Sequence, residues 1–166
     1  YAAIPAMSFC TSESGAHRKM ANKEYIILNV IDYSTSPGPR YCNQGDDSGE
    51  DFYHKLLNQK FFEAVSSGKM LQVNLDGPDG YASSFLDEAF GNLVYDFGVG
   101  LVQSNIEFIS KEEPEWISMI QECTYKEWEK RREKLQEPTI TEKHGPWYRF
   151  VDSQYRQEEW IPYAAN

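Results

Sequence analysis

The sequence has few basic residues, few cysteines and no long apolar run. Among its 166 residues, 16 Lys and Arg stand against 26 Asp and Glu, so the formal net charge at pH 7 is -10. A surface with this excess of negative charge repels phosphate backbones and anionic lipid headgroups. The longest apolar runs, such as Tyr25 to Ile31, are much shorter than the ~20 residues that span a bilayer. We therefore expect neither nucleic acid nor a membrane as a partner.

The three cysteines do not form the patterns typical of disulfide-rich or redox proteins. Cys10, Cys42 and Cys123 are isolated, and none belongs to a C-x-x-C pair. An odd number of scattered cysteines fits a reducing compartment. The N-terminal stretch also lacks the apolar segment of a secretory signal. We therefore expect a cytoplasmic protein.

The common motifs of metal and nucleotide binding are also missing. The three histidines, His17, His54 and His144, have neither H-x-x-x-H nor H-E-x-x-H spacing, so no metal site is predicted. The G-x-x-x-x-G-K-[ST] and G-x-G-x-x-G patterns of nucleotide-binding loops are absent, and no cofactor is predicted. His54 falls beside the apolar stripe of its predicted helix, and we expect it to be exposed to solvent.

Apolar patterns predict alternating strands and helices along most of the chain. Strands are predicted at Tyr25–Ile31, Met70–Leu75, Asn105–Ile109 and Trp147–Val151, and helices at about 48–67, 83–97 and 115–135. The helical connections are long enough for parallel pairing of successive strands. We expect an α/β fold with a small mixed sheet and helices mainly on one face.

We expect one folded domain with an additional segment at each end. Residues 1–21 are expected to be a mobile tail, because Tyr1 to Ala6 precede the first Met and resemble a vector-derived remnant. Residues 22–137 form the predicted α/β domain. Residues 138–166 are rich in aromatic side chains and are expected to dock on it, since exposure of so much apolar surface favours aggregation.

The turn between the second strand and the second long helix carries polar groups suited to binding. Asp76 and Asp79 lie in a glycine-rich turn, and Ser83 and Ser84 follow at the predicted helix start. Backbone N–H groups at a helix start bind anions, so this position suits a ligand or a phosphorylated serine. The serines can also be simple helix caps and the acidic residues ordinary turn residues, and from the local chemistry alone we favour this reading.

A second polar segment, the loop from Ser34 to Gly49, contains one arginine among acidic residues. Arg40 can bind a carboxylate or phosphate with two hydrogen bonds. It can also hold the loop in place by pairing with acids of its own loop or of the turn at 76–79, and we favour this structural role. Ser48 is predicted to cap the first long helix, and Glu50 lies in its first turn.

Three sequence blocks in and near these segments resemble a known family. They are PGPR at 37–40, SGEDF at 48–52 and GYASSFLDEAFG at 80–91. Together they resemble the STAS-like domain family of unknown function found in bacteria and their mobile elements, over about Tyr25 to Ile109. The resemblance implies a small α/β sandwich, distantly related to the anti-anti-sigma factors, that regulates by binding a partner such as a kinase-like ATPase.

The resemblance also implies a phosphorylation site. In the anti-anti-sigma factors, a partner kinase phosphorylates a serine within an Asp-Ser-Ser-Gly turn before a helix. That turn corresponds here to Ala82-Ser83-Ser84-Phe85, so Ser83 and Ser84 are the candidates. Ala82 and Phe85 depart from the family pattern, because they remove an acidic neighbour and add a bulky side chain.

The acidic residues gather in and around the two matched segments and indicate a docking face for a basic partner surface. The predicted function is a non-catalytic, regulatory protein-interaction domain. Its candidate binding or switch residues are Ser83, Ser84, Asp76, Asp79, Asp87, Glu88, Arg40, Ser48 and Glu50. The alternative is a small enzyme or a nucleotide- or metal-binding subunit whose site lies at the carboxyl ends of the strands.

Overall fold

The computed structural model describes residues 23–160, and its core contains a three-stranded parallel sheet. The strands are β1 (Tyr25–Asn29), β2 (Met70–Asn74) and β3 (Ile106–Ile109), hydrogen-bonded in the order β1-β2-β3. Leu28 pairs with Val73, which pairs on its other side with Phe108. The tail expected at 1–21 and the last residues of the C-terminal extension lie outside the described range.

Helices connect the strands. After the single turn α1 (Val30–Tyr33), α2 comprises Gly49–Phe52, the π-helical Tyr53–Leu57 and Asn58–Ser66. The helix α3 (Ser83–Phe97) follows β2 and leads into α4 (Val99–Asn105). The last helix, α5, comprises Glu115–Met119, a second π-helical stretch Ile120–Thr124 and Tyr125–Glu133, and a hairpin of β4 (Trp147–Val151) and β5 (Gln154–Glu158) follows. No helix within residues 23–160 combines the length and the hydropathy needed to cross a membrane.

The α/β class predicted from the sequence is confirmed, but the main sheet is parallel and not mixed. Antiparallel pairing occurs in the separate hairpin of β4 and β5. The strand predicted over Tyr25–Ile31 ends at Asn29, because the chain turns into α1. The sequence pattern missed β5, whose side chains are almost all exposed and therefore show no apolar alternation.

The main sheet is buried on one face. Leu71 and Val73 have no exposed surface, whereas Tyr25 and Ile27 on the opposite face are 48% and 50% exposed. This alternation agrees with the expected placement of the helices mainly on one side of the sheet. The other face leaves two large apolar side chains in contact with solvent.

The helix α3 forms the centre of the core. Its buried apolar residues are Phe85, Leu86, Ala89, Phe90, Leu93, Val94 and Phe97. Burial of each large side chain contributes about 1.5–3 kcal/mol relative to exposure. The helix α5 packs closely against α3 at Gly91, where a Cβ atom would lie 2.1 Å from Trp128 Cε2. The absence of a side chain at this position therefore determines how closely the two helices approach.

The β4 strand packs against α2 through a polar and an aromatic contact. Asn58 Nδ2 donates to the Tyr148 carbonyl over 2.9 Å, and the Tyr148 N–H donates back to Asn58 Oδ1 over 2.8 Å. The Tyr148 ring stacks on Phe62 with 3.7 Å between ring centroids. Part of the C-terminal segment is thus built into the surface of the domain.

A buried ionic network joins β4 to α3 and α2. Arg149 Nε donates to Asp96 Oδ1 over 2.7 Å, and the Tyr53 hydroxyl donates to Asp96 Oδ2. Asp96 is 1% exposed. Burial raises the pKa of Asp96 to about 6, although Arg149 and Tyr53 favour its charged form.

Candidate functional site

The two polar segments identified in the sequence are in contact. The Asp79 N–H donates to the Thr35 carbonyl over 2.8 Å, so the turn after β2 touches the loop that follows α1. The end of that loop lies against α3, where a Cβ at Gly49 would be 2.5 Å from the Phe85 carbonyl oxygen. The SGEDF and GYASSFLDEAFG blocks therefore pack against each other.

Arg40 attaches the loop to the first turns of α3. Its Nη1 atom donates to Asp87 Oδ2 over 2.7 Å and to Glu88 Oε1 over 3.1 Å. The structural role favoured from the sequence is observed, but the expected partners were wrong. Acidic residues at the start of α3, and not those of the loop or of the turn at 76–79, face the guanidinium.

Glu88 is a buried member of this ion pair. Its side chain has no exposed surface, and Asn92 Nδ2 donates to its second oxygen over 2.8 Å. Burial raises the pKa of Glu88, while the hydrogen bonds from Asn92 and Arg40 lower it. The residue thus stabilises the contact between the loop and α3 and is not available to a partner.

Ser83 and Ser84 do not cap α3 as the sequence suggested. The N-cap residue is Ala82, and no side-chain hydrogen bond caps the helix. Ser83 is exposed and Ser84 is half-buried in the first turn. The extended residue that precedes a helix is the one placed to cap it, and alanine occupies that position. In the described part of the chain, the hydroxyl groups of Ser83 and Ser84 therefore make no capping hydrogen bond to α3.

Ser48 caps α2 as predicted. Its hydroxyl oxygen accepts a hydrogen bond from the Asp51 N–H over 3.0 Å. Ser48 is fully buried, and its hydroxyl also donates to Cys42 Sγ over 3.3 Å. This candidate residue lies below the surface and organises the loop.

Several acids of the expected docking face have partners within the chain. Asp51 accepts a hydrogen bond from the Tyr33 hydroxyl over 2.5 Å, and Asp47 accepts one from Ser34 Oγ over 2.7 Å. Asp46, Asp47 and Asp79 are exposed. Glu50 and Glu88 are fully buried, so the accessible negative charge of this region is smaller than the sequence count suggests.

Asp76 connects the carboxyl ends of β2 and β3. Its carboxylate accepts the N–H groups of Lys111 and Glu112 over 3.0 and 2.9 Å, and these bonds lower its pKa. The cavity beside it, bordered by Tyr81 and Trp116, has a volume of about 10 Å³. This is room for about one water molecule. The cavity described at the strand ends is too small for a nucleotide.

A further polar cluster surrounds Glu50, which has no exposed surface. Its carboxylate accepts hydrogen bonds from the Thr141 N–H over 3.0 Å, the Thr141 hydroxyl over 2.6 Å and the Cys42 N–H over 3.1 Å. His144 Nε2 lies 2.7 Å from Glu50 Oε2. Burial alone would raise the pKa of Glu50, but the contacts with His144, Thr141 and Cys42 lower it to about 2.

The prediction that His54 is exposed was wrong. His54 is 7% exposed, and its ring stacks on His144 with 4.1 Å between centroids and meets the Trp147 ring edge-on. Burial lowers the pKa of His54 to about 3. The π-helical stretch of α2 adds a residue to the helical turn, which changes the face on which position 54 falls. The later segment that covers His54 is also too distant in sequence for a helical pattern to reveal it.

Cys42 lies next to Glu50 and His144. A sulfur, a carboxylate oxygen and a ring nitrogen from these three residues lie within 4.8 Å of one another. Burial raises the pKa of the Cys42 thiol to about 11. Sequence reasoning missed this group because its members belong to a loop, a helix start and a distant segment, which no motif spacing connects.

An open cleft of about 370 Å³ adjoins Cys42. It is lined by Cys42, Gly45, Asp46, Asp47, Ser48, Asp51, Lys55 and Glu142. Four of these side chains are carboxylates and one is a lysine, so the cleft attracts cations. It provides a solvent-connected approach to the thiol.

A parallel sheet covered by helices on one face, with a long helix that begins in the turn after the second strand, defines an α/β domain. The family model described as STAS-like domain of unknown function (DUF4325) matches residues 48–116. The STAS-like resemblance is thereby confirmed over α2, β2, α3, α4 and β3. The match does not include the PGPR block or β1, which the resemblance had covered. No curated protein and no solved structure matches the chain.

Proposed function

We propose that this chain is a non-catalytic regulatory domain that binds another protein. The contact region, named here the switch surface, consists of the exposed parts of the loop at 34–49, the turn at 76–80 and the first turn of α3. The observation that carries this proposal is the presence of Ser83 and Ser84 in the uncapped first turn of a 15-residue helix. Arg40 links the loop at 34–49 to the same helix, and the Asp79 N–H links the turn at 76–80 to that loop.

Charge supports a partner with a basic surface, such as a kinase-like ATPase or another regulator. Asp46 and Asp79 are exposed on the two loops of the switch surface. Across the whole chain, the net charge of -10 adds a long-range attraction for positively charged proteins. Such attraction mainly increases the rate of association and selects among partners.

Phosphorylation of Ser83 or Ser84 would change this surface strongly. A phosphoserine carries a charge of about −2, and backbone N–H groups and the helix dipole stabilise it at a helix start. A basic partner surface would gain attraction, whereas an acidic one would be repelled. The sign of the change in affinity therefore reports the charge of the partner.

The direct test is capture of partners from the native host with the wild type and with the variants Ser83→Asp and Ser84→Asp. Ser118→Asp, an exposed serine on α5, is the matched control. We expect at least one aspartate variant in α3 to change the amount of a captured protein, while Ser118→Asp does not. Intact mass of the protein purified from the host should show one added phosphate that Ser83→Ala combined with Ser84→Ala removes.

Two results would contradict the proposal: identical partners for every variant, or a nucleotide that binds directly. The second is checked by thermal unfolding with added nucleotides. A ligand that binds the folded state raises stability by RT ln(1 + [L]/Kd). We expect no nucleotide-dependent change in Tm.

A further inference from the structure

We propose that Cys42, Glu50 and His144 bind one zinc ion, a function that does not depend on Ser83 or Ser84. Their sulfur, oxygen and nitrogen donor atoms lie within 4.8 Å of one another. Thiolate, imidazole and carboxylate are the three donor types that proteins offer to zinc. A single ion placed between them would join a loop, the start of α2 and the segment before β4.

The donor atoms lie at most 4.8 Å apart, which is within about 1 Å of the separations in a tetrahedral site. Bond lengths of about 2.0–2.3 Å place two ligands of a tetrahedral zinc roughly 3.3–3.8 Å apart. Glu50 Oε2 and His144 Nε2 are 2.7 Å apart, so the ion would separate them slightly. The thiol would be drawn inward and release its proton to the solvent.

A buried polar atom next to the cluster supports the assignment independently. The Nδ1 atom of His54 is buried and has no hydrogen-bond partner in the described part of the chain. Its ring lies parallel to that of His144 at 4.1 Å. Buried nitrogen atoms without a partner are rare because they have lost their contact with water. Through its stack on the His144 ligand, the ring that carries this atom belongs to the immediate surroundings of the proposed ion.

Neighbouring side chains hydrogen-bond to the proposed ligands, as they do around known metal sites. Thr141 donates two hydrogen bonds to Glu50, and Ser48 donates one to Cys42 Sγ, so both ligands are held in place. Such supporting contacts orient ligands and increase metal affinity. The acidic cleft beside Cys42 provides an entry path and raises the local cation concentration.

The test is a titration of the metal-stripped full chain with Zn²⁺ in competition with a chromophoric chelator. We expect one Zn²⁺ per chain. Cys42→Ser and His144→Gln should weaken binding by about 100-fold or more, and Thr141→Val by about 10-fold. Cys123→Ser removes an exposed cysteine on α5 and should leave the affinity unchanged. Glu142→Gln removes a carboxylate from the cleft and should have a small effect.

Replacement of zinc by Co²⁺ tests the ligand set directly. The Co²⁺ form should show a thiolate-to-metal absorption band in the near ultraviolet that Cys42→Ser abolishes. Far-ultraviolet circular dichroism of each metal-free variant shows whether it is folded. Binding by Cys42→Ser as tight as that of the wild type would mean that the cleft carboxylates alone hold the ion, and would overturn the proposal. Absence of zinc binding by the wild type, or a preference for Ca²⁺ or Mg²⁺ over Zn²⁺, would overturn it too.

Discussion

Arg40 pairs with Glu88 across 48 sequence positions, with 3.1 Å between the Nη1 and Oε1 atoms. The carboxylate is fully buried, whereas the side chain of Arg40 is 28% exposed. The ion pair therefore neutralises a charge inside the domain from a loop at its surface. A substitution of Arg40 in the loop therefore changes the stability of the core around Glu88.

We expect Arg40→Ala to lower the free energy of unfolding by about 2 kcal/mol, because it leaves the Glu88 carboxylate buried without its cation. Urea denaturation measures the change. Lys60→Ala is the control, since Lys60 and Glu63 form an exposed pair whose loss should cost less than about 1 kcal/mol. Equal costs for the two variants would show that solvent screens the Arg40 pair.

We expect Gly91→Ala to destabilise the protein by about 1–3 kcal/mol, because the added methyl group would overlap the Trp128 ring. Gly100→Ala is a control within α4, where a Cβ atom has no neighbour within 4 Å. That substitution should stabilise the helix by about 0.5–1 kcal/mol. Thermal unfolding of both variants provides the comparison, and a neutral Gly91→Ala would mean that the two helices can separate without cost.

Asp96 gives the stability of the protein a predictable dependence on pH. Its pKa rises from 3.8 when exposed to about 6 in the folded state, because burial disfavours the carboxylate. The folded state therefore binds the proton of Asp96 more tightly than the unfolded state does. The stability gained from this protonation is fully present below pH 3.8 and is lost as the pH rises through 6.

Comparison of the wild type with Asp96→Asn by urea denaturation at several pH values isolates this effect. The wild type should lose stability relative to Asp96→Asn as the pH rises across that window. Asp152→Asn, in the exposed turn between β4 and β5, is the control for the substitution itself. A constant difference between wild type and Asp96→Asn would mean that Arg149 fully offsets the burial of the carboxylate.

Substitution of Asn58 tests how strongly β4 is held against α2. We expect Asn58→Ala to cost about 1–3 kcal/mol, since it leaves the N–H and carbonyl of Tyr148 without their partner. Hydrogen exchange of the β4 amides should become faster, while exchange in β2 should change much less. Asn43→Ala, at an exposed position, is the control. Unchanged exchange in β4 would show that the stack of Tyr148 on Phe62 is sufficient.

The sequence predicted those parts of the fold that depend on local apolar pattern. Strands β2 and β3 and the helix α3 follow from residues close together in the chain. The prediction failed for His54, because a π-helical stretch alters the helical phase and residues 144 and 147 cover the ring. The contacts of Glu50 could not be predicted either, because Thr141 and His144 lie about 90 residues away in the sequence.

The long sequence separation of these contacts also constrains the order of assembly. Asn58 meets Tyr148 across 90 positions and Glu50 meets His144 across 94. Helix α5 packs against α3 at Gly91 and so shortens the stretch of free chain that these contacts must close, which lowers its entropy cost. We therefore expect the segment from Thr141 to Arg149 to form its contacts after α2, α3 and α5 have packed, and to open locally without disruption of the parallel sheet.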